Sequence, residues 1–384
     1  MADLHIVDDL RQLPAAWDEL LAQQEGATPF MRRAYLQALQ AGGSAVAATG
    51  WQAAFALLMQ GQVLQAAAPL WIKGHSWGEY VFDQAWARAY AAQGLRYYPK
   101  GVLAVPFAPV PGARLLAQDA VARAQLLQGL TRFAAQAGLS GLHLLFGDAA
   151  DARAAREQGW VAREQPQFHW QRDPNWRGYE DFLASLRRDK RKKLLQERRQ
   201  VRDAGVKVRV LQGEAIGAAD WAFFERCYAN TYAVRGQQAY LALGFFAECG
   251  VDWLLFIAEQ GGEPIAASLL ACDGGDGRDG TPTGARRRVL WGRHWGCVRE
   301  LPFVHFELCY HAPIEWAMAQ GIERFEGGAQ GEHKMARGLL PVATQSWHWL
   351  ADAGFAEALQ RFGEQEQAAV AAYEGELAAR SPFR

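Results

Sequence analysis

The strongest constraint on the fold of this chain is an internal echo. Phe55–Ile72 reads FALLMQGQVLQAAAPLWI and Trp253–Cys272 reads WLLFIAEQGGEPIAASLLAC. Each sets out an apolar run, a turn with Gln and Gly, and a second apolar run with paired alanines. Both spell a β-hairpin, with Gly61 in one turn and Gly261-Gly262 in the other supplying the positive φ that a tight connection needs. A separation of about two hundred residues is far beyond any solenoid period, so the echo predicts a duplicated domain rather than a repeat array.

The elements after each hairpin follow one plan. In the first half, strand patterns at Gly101–Val110, Gly141–Phe146 and Trp160–Gln171 alternate with helical patterns at Asp119–Ala137 and Asp151–Gln158. In the second, Arg288–Trp295 reads as a strand, Phe303–Gln320 as a helix opened by Pro302 and kinked at Pro313, and Arg324–Gly327 and Thr344–Leu350 as strands. This predicts an α/β (α+β) class with a mixed sheet and flanking helices in each domain. The expected division is 1–172, a linker over 173–178 around Asp173-Pro174-Asn175, and 179–384. The second domain opens on a basic helix, Tyr179–Val201, and ends on an amphipathic helix, Gly354–Ala379, expected to cap it. The Gly-rich run Asp273–Ala285 reads as a surface loop.

A chain of 384 residues exceeds what one core usually organises. With half its residues hydrophobic, including 15 Trp and 19 Phe, it can bury two cores. A net charge of −1 excludes a uniformly basic nucleic-acid coat and leaves local patches to be found residue by residue. The five cysteines have no CxxC spacing, so they read as reduced thiols and not as a zinc or redox site. The first residues carry acids and no apolar core, and no run of 18 apolar residues occurs, so a cytoplasmic location is expected.

One segment concentrates chemistry: Phe325–Pro341, FEGGAQGEHKMARGLLP. A strand ending in Glu326 runs into Gly327-Gly328, where missing Cβ atoms let a ligand approach the backbone. Gln330, Glu332, His333, Lys334 and Arg337 come next. A carboxylate, an imidazole and two cations beside a strand end suit amide-bond formation, which needs a base for an ammonium nucleophile and donors for an oxyanion. On spacing alone a solvated loop-to-helix junction fits equally well.

Several strings carry a resemblance. FEGGAQGEHKMARGLLPV, LWGRHWG (Leu290–Gly296), PFVHFELCYHAPIEWA (Pro302–Ala317), PLWIKGHSWGEYVFDQAWARAY (Pro69–Tyr90) and GLRYYPKGVLAVPFAPVPGARLL (Gly94–Leu116) resemble the FemAB-like N-acyltransferases, a bacterial family. The resemblance spans nearly the whole chain. It implies two tandem GNAT-like acyltransferase domains, as in the Fem peptidyltransferases that add amino acids to the peptidoglycan stem peptide.

The resemblance also implies an N-acyltransferase in which an acceptor amine attacks an activated acyl carbonyl directly. No nucleophile motif points to a covalent enzyme intermediate. The proton acceptor is expected to be Glu326 or Glu307, with His333 as alternate. Backbone groups at Gly327 and Gly328 are expected to serve the oxyanion, and Gln330, Lys334, Arg337 and Arg293 the donor. The co-substrate is acyl-CoA or aminoacyl-tRNA. A coenzyme A phosphate loop appears only in degenerate form at Arg293–Val298, where Val298 replaces the small last residue. Fem enzymes take their amino acid from aminoacyl-tRNA, for which Arg187, Arg188, Lys190, Arg191, Lys192 and Lys193 offer a phosphate-tracking surface. A solvated helix face explains the same charges.

For the acceptor, Lys73, His75, Glu79, Tyr80, Tyr98 and Lys100 cluster around a Gly-rich crossover and suit a polar or anionic molecule. Residue types alone favour a structured crossover with core aromatics. Glu307, His311 and Glu315 share one helix face, yet no partner cluster accompanies them and no metal site is expected. The rival from another class is a non-catalytic protein of the same fold that recognises a cell-wall precursor or RNA.

Overall fold

The computed structural model describes residues 2–273, 288–328 and 331–384. The chain divides into two compact units, Met1–Gln165 with Tyr240–Gly250 and Ala343–Ala372, and Pro166–Ala239 with Val251–Val342 and Tyr373–Arg384. These are not the contiguous halves expected from the sequence. The boundary falls inside the strands Val161–Gln171 and Leu340–Leu350 and inside the helix Ala353–Ala379.

In the first unit, strands Asp3–Val7, Phe55–Gln60, Val63–Ala68 and Leu116–Ala117 form a four-stranded sheet in that order. A further ladder runs Trp51–Ala53, Trp71–Lys73, Lys100–Leu103, Gly141–Leu145, with the last two strands parallel and the other pairs antiparallel. Ser346–Leu350 completes it, antiparallel to Gly141–Leu145. Trp347 thereby enters the core of this unit beside Leu103, Leu126, Leu130, Leu142 and Leu144, which explains why the strand expected in the second domain belongs here. The helices Ala120–Gln136 and Ala149–Glu157 start where Asp119 and Asp148 accept from backbone N–H groups of their first turns. The C-terminal helix divides: its end, with Leu377 fully buried, packs into the core of the second unit as expected, whereas its start stays here. Phe355 stacks on Tyr90, and Glu366 pairs with Arg163 at 2.8 Å.

In the second unit the order is Val206–Gln212, Trp253–Gln260, Glu263–Asp273, Val289–Cys297, Arg324–Glu326 and the end of Val161–Gln171. All neighbours are antiparallel except Val289–Cys297 with Arg324–Glu326. Phe168, Trp170, Phe182, Leu194, Phe256, Leu290, Leu308 and Phe325 fill its core.

The echo between the hairpins extends to their defects. In one, Gln60 pairs with Val63, Met59 with Leu64 and Leu58 with Ala66; in the other, Gln260 pairs with Glu263, Glu259 with Pro264 and Ala258 with Ala266. The bulge sits at the same step of both, and Gly61 and Gly261 hold φ of 61° and 65°.

Three expected elements differ. The strand at Gly101–Val110 stops at Leu103, because Pro106 and Pro109 cannot donate to a ladder and Phe107 adopts φ 60°. The basic helix is broken into Tyr179–Ser185 and Arg188–Asp203, with Leu186 extended, fully buried and bridged to Phe383. In Phe303–Gln320 the irregularity precedes Pro313. Pro313 opens the helix Ala312–Ala319, and Glu307–His311 form a π turn. A proline lacks the N–H owed to the carbonyl four residues back, so the preceding turn widens. The Gly-rich run lies outside the described residues after Asp273.

Candidate active site

Glu326 ends the strand Arg324–Glu326 with only 3% of its surface exposed. Its Oε1 lies 3.0 Å from Arg324 Nη2. Burial nevertheless outweighs Arg324, Trp291 and Arg293 and pushes the carboxyl up to about 7. A carboxyl poised there can take a proton at physiological pH.

Gly327 fits where no other residue would, since an added Cβ would lie 2.4 Å from Leu339 Cδ2. Its N–H donates to Phe168 O at 2.9 Å, so it is committed to the sheet and does not serve an oxyanion as expected. Gly328 turns the chain with φ 79°. Gln330, expected to bind the donor, lies outside the described residues. The short helix Glu332–Arg337 then returns Lys334 to the strand end, where its Nζ donates to Gly327 O at 2.5 Å and Gly328 O at 3.2 Å. Burial lowers this ammonium to about 8.

The other expected donor-side cation, Arg337, points inward. Its Nη2 donates to Glu197 Oε1 at 2.7 Å, its Nη1 to His333 O at 2.8 Å, and its guanidinium sits 3.5 Å over the Phe306 ring. At 2% exposure it tightens the π turn against the helix Arg188–Asp203 and does not present charge to a phosphate. Glu197 spends its second oxygen on His311 Nε2 at 3.1 Å. Glu307, expected as an alternative base, is gripped by Arg198 through Nε at 3.2 Å and Nη2 at 2.9 Å, and Arg198 also reaches Glu315 at 2.6 Å. The shared helix face is therefore an ion-pair network. Among the described residues no group of three or more His, Cys, Asp or Glu side chains converges as metal ligands. His333 is exposed, and its Nε2 lies 3.1 Å from the Tyr310 hydroxyl.

Arg293 lies within the strand Val289–Cys297, not on a loop before a helix. Gly296 serves close packing there, since a Cβ on it would meet Cys227 O at 2.0 Å. The expected degenerate phosphate loop is thus strand.

The residues expected to bind the acceptor gather in the first unit. Lys100 Nζ is fully buried and donates to Glu79 Oε2 at 2.7 Å, to Ser76 Oγ at 2.9 Å and to Asp83. Tyr98 lies 2.8 Å from Ser76 Oγ. Lys73 Nζ donates to Trp77 O at 3.0 Å and stands 3.4 Å over the Trp51 ring, and burial lowers it to about 7. His75 contacts Thr49 O at 3.2 Å, and the Tyr80 carbonyl accepts from Gln165. The cluster runs on through residues not expected from the sequence. Tyr97 donates to Asp83 at 2.6 Å and lies 3.5 Å from His143 Nε2, while His143 and His348 meet at 2.8 Å. Both histidines are held neutral by burial. An imidazole within an apolar strand run was their sequence signal, since a buried ring requires a partner. Lys73, Glu79 and Lys100 are sealed from solvent, so they form a charged core.

The basic helix exposes Arg188, Lys192, Lys193, Arg199 and Arg202, and Arg187 precedes it, also exposed. Lys190 pairs with Asp189 at 3.4 Å and Arg191 is half-buried.

A family described by its role in peptidoglycan biosynthesis/recognition, FemAB-like, matches residues 9–384. The chain belongs to the FemAB-like family. Solved structures of similar fold include FemX, with 9% identity, 93% of this chain and 100% of that one covered and a TM-score of 0.52. L-PGS from Bacillus licheniformis aligns at 10% identity over 91% and 97% of the two chains, with a TM-score of 0.54. The C-terminal domain of a putative lysylphosphatidylglycerol synthetase from Agrobacterium fabrum aligns at 10% identity over 93% and 96%, at 0.52. Comparison with curated proteins gives no match. This FemAB-like chain has the mixed α/β fold expected from the resemblance. No described helix is long and apolar enough to cross a membrane.

Proposed function

We propose that this FemAB-like chain is an N-acyltransferase that moves an aminoacyl or acyl group onto the amine of a peptidoglycan precursor or related cell-wall metabolite. The observation that carries this reading is Glu326, a buried strand-end carboxyl raised to about 7 in a family of peptidoglycan biosynthesis/recognition. Glu326 takes a proton from the acceptor ammonium, and the amine attacks the acyl carbonyl. A C–N bond forms, the tetrahedral oxyanion collapses, and the ester or thioester bond to the leaving group breaks as that group takes up a proton. Lys334 holds the loop beside this carboxyl through two carbonyls and acts as a positioning residue.

Aminoacyl-tRNA is the donor we favour over acyl-CoA. The strand placement of Arg293–Cys297 removes the loop that would cradle a pyrophosphate, while Arg187, Arg188, Lys192 and Lys193 supply exposed charge. The same missing loop lends support to the rival reading, a non-catalytic protein that recognises a cell-wall precursor or RNA.

Thermal melting of the full chain with acyl-CoA, charged tRNA and a stem-peptide precursor separates these readings, because a ligand of the folded state raises its melting temperature. Stabilisation by charged tRNA together with transfer to a peptide amine is the expected result. In that assay Glu326→Gln should lower kcat by about 10²–10⁴-fold. Stabilisation by acyl-CoA alone would replace the donor assignment, and binding without transfer would favour the recognition protein.

A further inference from the structure

The second unit holds a cavity of about 620 Å³ that none of the roles above uses. Its walls come from the end of the strand Val161–Gln171, from the loop after it, and from residues 338, 340–342 and 383. The volume is that of an ordinary small-molecule cleft.

His169 ties this cavity to the proposed base. It lines the cavity and is the cross-strand partner of Glu326 in the antiparallel ladder. Direct partners project from the same face of a sheet with Cβ atoms about 4.5–5.5 Å apart, so His169 is the lining residue that links the cavity to Glu326, which does not itself line it. Burial depresses the His169 imidazole to about 3, which keeps it neutral and no competitor for the carboxyl. Glu326 Oε1 is held by Arg324, and Oε2 makes no hydrogen bond within 3.5 Å among the described residues.

The far wall is aromatic and apolar. Trp176 stacks on Trp170 at 6.1 Å and on Phe383 at 5.8 Å, which fixes its ring, and Pro341 and Val342 stand on the adjoining strand. Asp173 supplies an acid, held in its turn by Asn175 N at 2.8 Å. Arg172, the neighbouring cation, already donates to Met318 O and Trp176 O.

We propose that this cavity seats the acyl acceptor, a small amine-bearing molecule whose apolar body lies on Trp176 and whose amine reaches Glu326 past His169. The assignment rests on the transferase reading and sharpens it. In this reading the cavity is left to the acceptor, and the donor's acyl end meets Glu326 from outside it. The buried Lys73–Glu79–Lys100 cluster is then structural.

The probe is the tripeptide alanyl-γ-glutamyl-lysine, with its free amines, added to the full chain carrying 5-fluorotryptophan. Trp176 is assigned by the signal lost in Trp176→Phe. Saturating probe should shift the Trp176 fluorine resonance, and Val342→Trp, which fills the cavity, should raise the acceptor KM by at least about ten-fold with the donor KM unchanged. Should Val342→Trp fail to fold, the wild-type fluorine titration decides alone. Transfer to the tripeptide with a Trp176 signal that stays fixed would overturn the cavity assignment and leave the transferase standing. A raised donor KM in place of the acceptor KM would also overturn it. Neither binding nor transfer with any amine would remove the transferase reading, and the cavity assignment with it.

Discussion

Arg337 and Glu197 form an ion pair of 2.7 Å in which neither side chain exposes more than 3% of its surface. Such a pair is weak evidence of net stability, yet removing one partner strands the other charge away from water. Arg337→Met leaves Glu197 with only the His311 ring, and Glu197→Gln leaves a guanidinium over Phe306 without its counter-charge. Each should lower the unfolding free energy by about 3–5 kcal/mol in urea titrations. The double variant should cost less than the sum of the two. If Arg337 bound donor phosphate instead, its loss would weaken donor affinity and leave the urea midpoint in place.

Glu326 gives a second expectation, in pH. Its folded-state carboxyl titrates near 7 against an ordinary value of 4.5. The folded state therefore holds this proton more tightly than the unfolded state. Stability is full below pH 4.5 and falls as pH rises through 7, by an amount on the order of 3 kcal/mol. Glu326→Gln stays neutral throughout and should flatten that slope in urea midpoints measured from pH 5 to pH 8. Activity should run the other way, rising with pH through about 7 as the carboxylate becomes available, so kcat/KM and stability cross in one window.

Lys100 supplies the third. Its ammonium is raised above the ordinary value by Glu79 and Asp83 against the cost of burial, so it stays charged in the folded state. Lys100→Met abandons two buried carboxylates, and at pH 8 it should cost about 3–5 kcal/mol. The loss should shrink on acidification, because protonated Glu79 and Asp83 no longer need a cation. A melting deficit independent of pH would show that the carboxylates had found another partner.

The hairpins were legible because turn glycines and alternating apolar runs act locally, and even their shared bulge lies in a short pairing. Glu326 was legible as a strand-end acid before two glycines. The roles of Arg337 and Glu307 were not, because both depend on the helix Arg188–Asp203 arriving from more than a hundred residues away to offer Glu197 and Arg198. A cation near a strand end looks the same in sequence whether it faces a phosphate or a buried carboxylate. The unit boundaries were hidden for a related reason. Which ladder a Trp-His-Trp strand joins is fixed by its partner, here Gly141–Leu145, and not by its own alternation.

The last expectation concerns Gly296 and decides between two reasons for a glycine. A phosphate loop needs glycine so that a ligand can approach the backbone; a packed strand needs it so that another element can. The strand Val289–Cys297 meets the helix Ala218–Ala233 here, with Thr231 Oγ1 donating to Trp295 O at 2.8 Å and Asn230 Nδ2 to Cys297 O at 2.7 Å. A Cβ at Gly296 would fall 2.0 Å from Cys227 O, a backbone atom that can yield only if the helix moves. Gly296→Ala should therefore destabilise the chain by about 1–3 kcal/mol, as overpacking does, and the deficit should appear in the absence of any donor. A variant of unchanged melting temperature that lost donor affinity would assign the glycine to a ligand. The hydrogen bonds on either side of it, which already tie strand to helix, argue for packing.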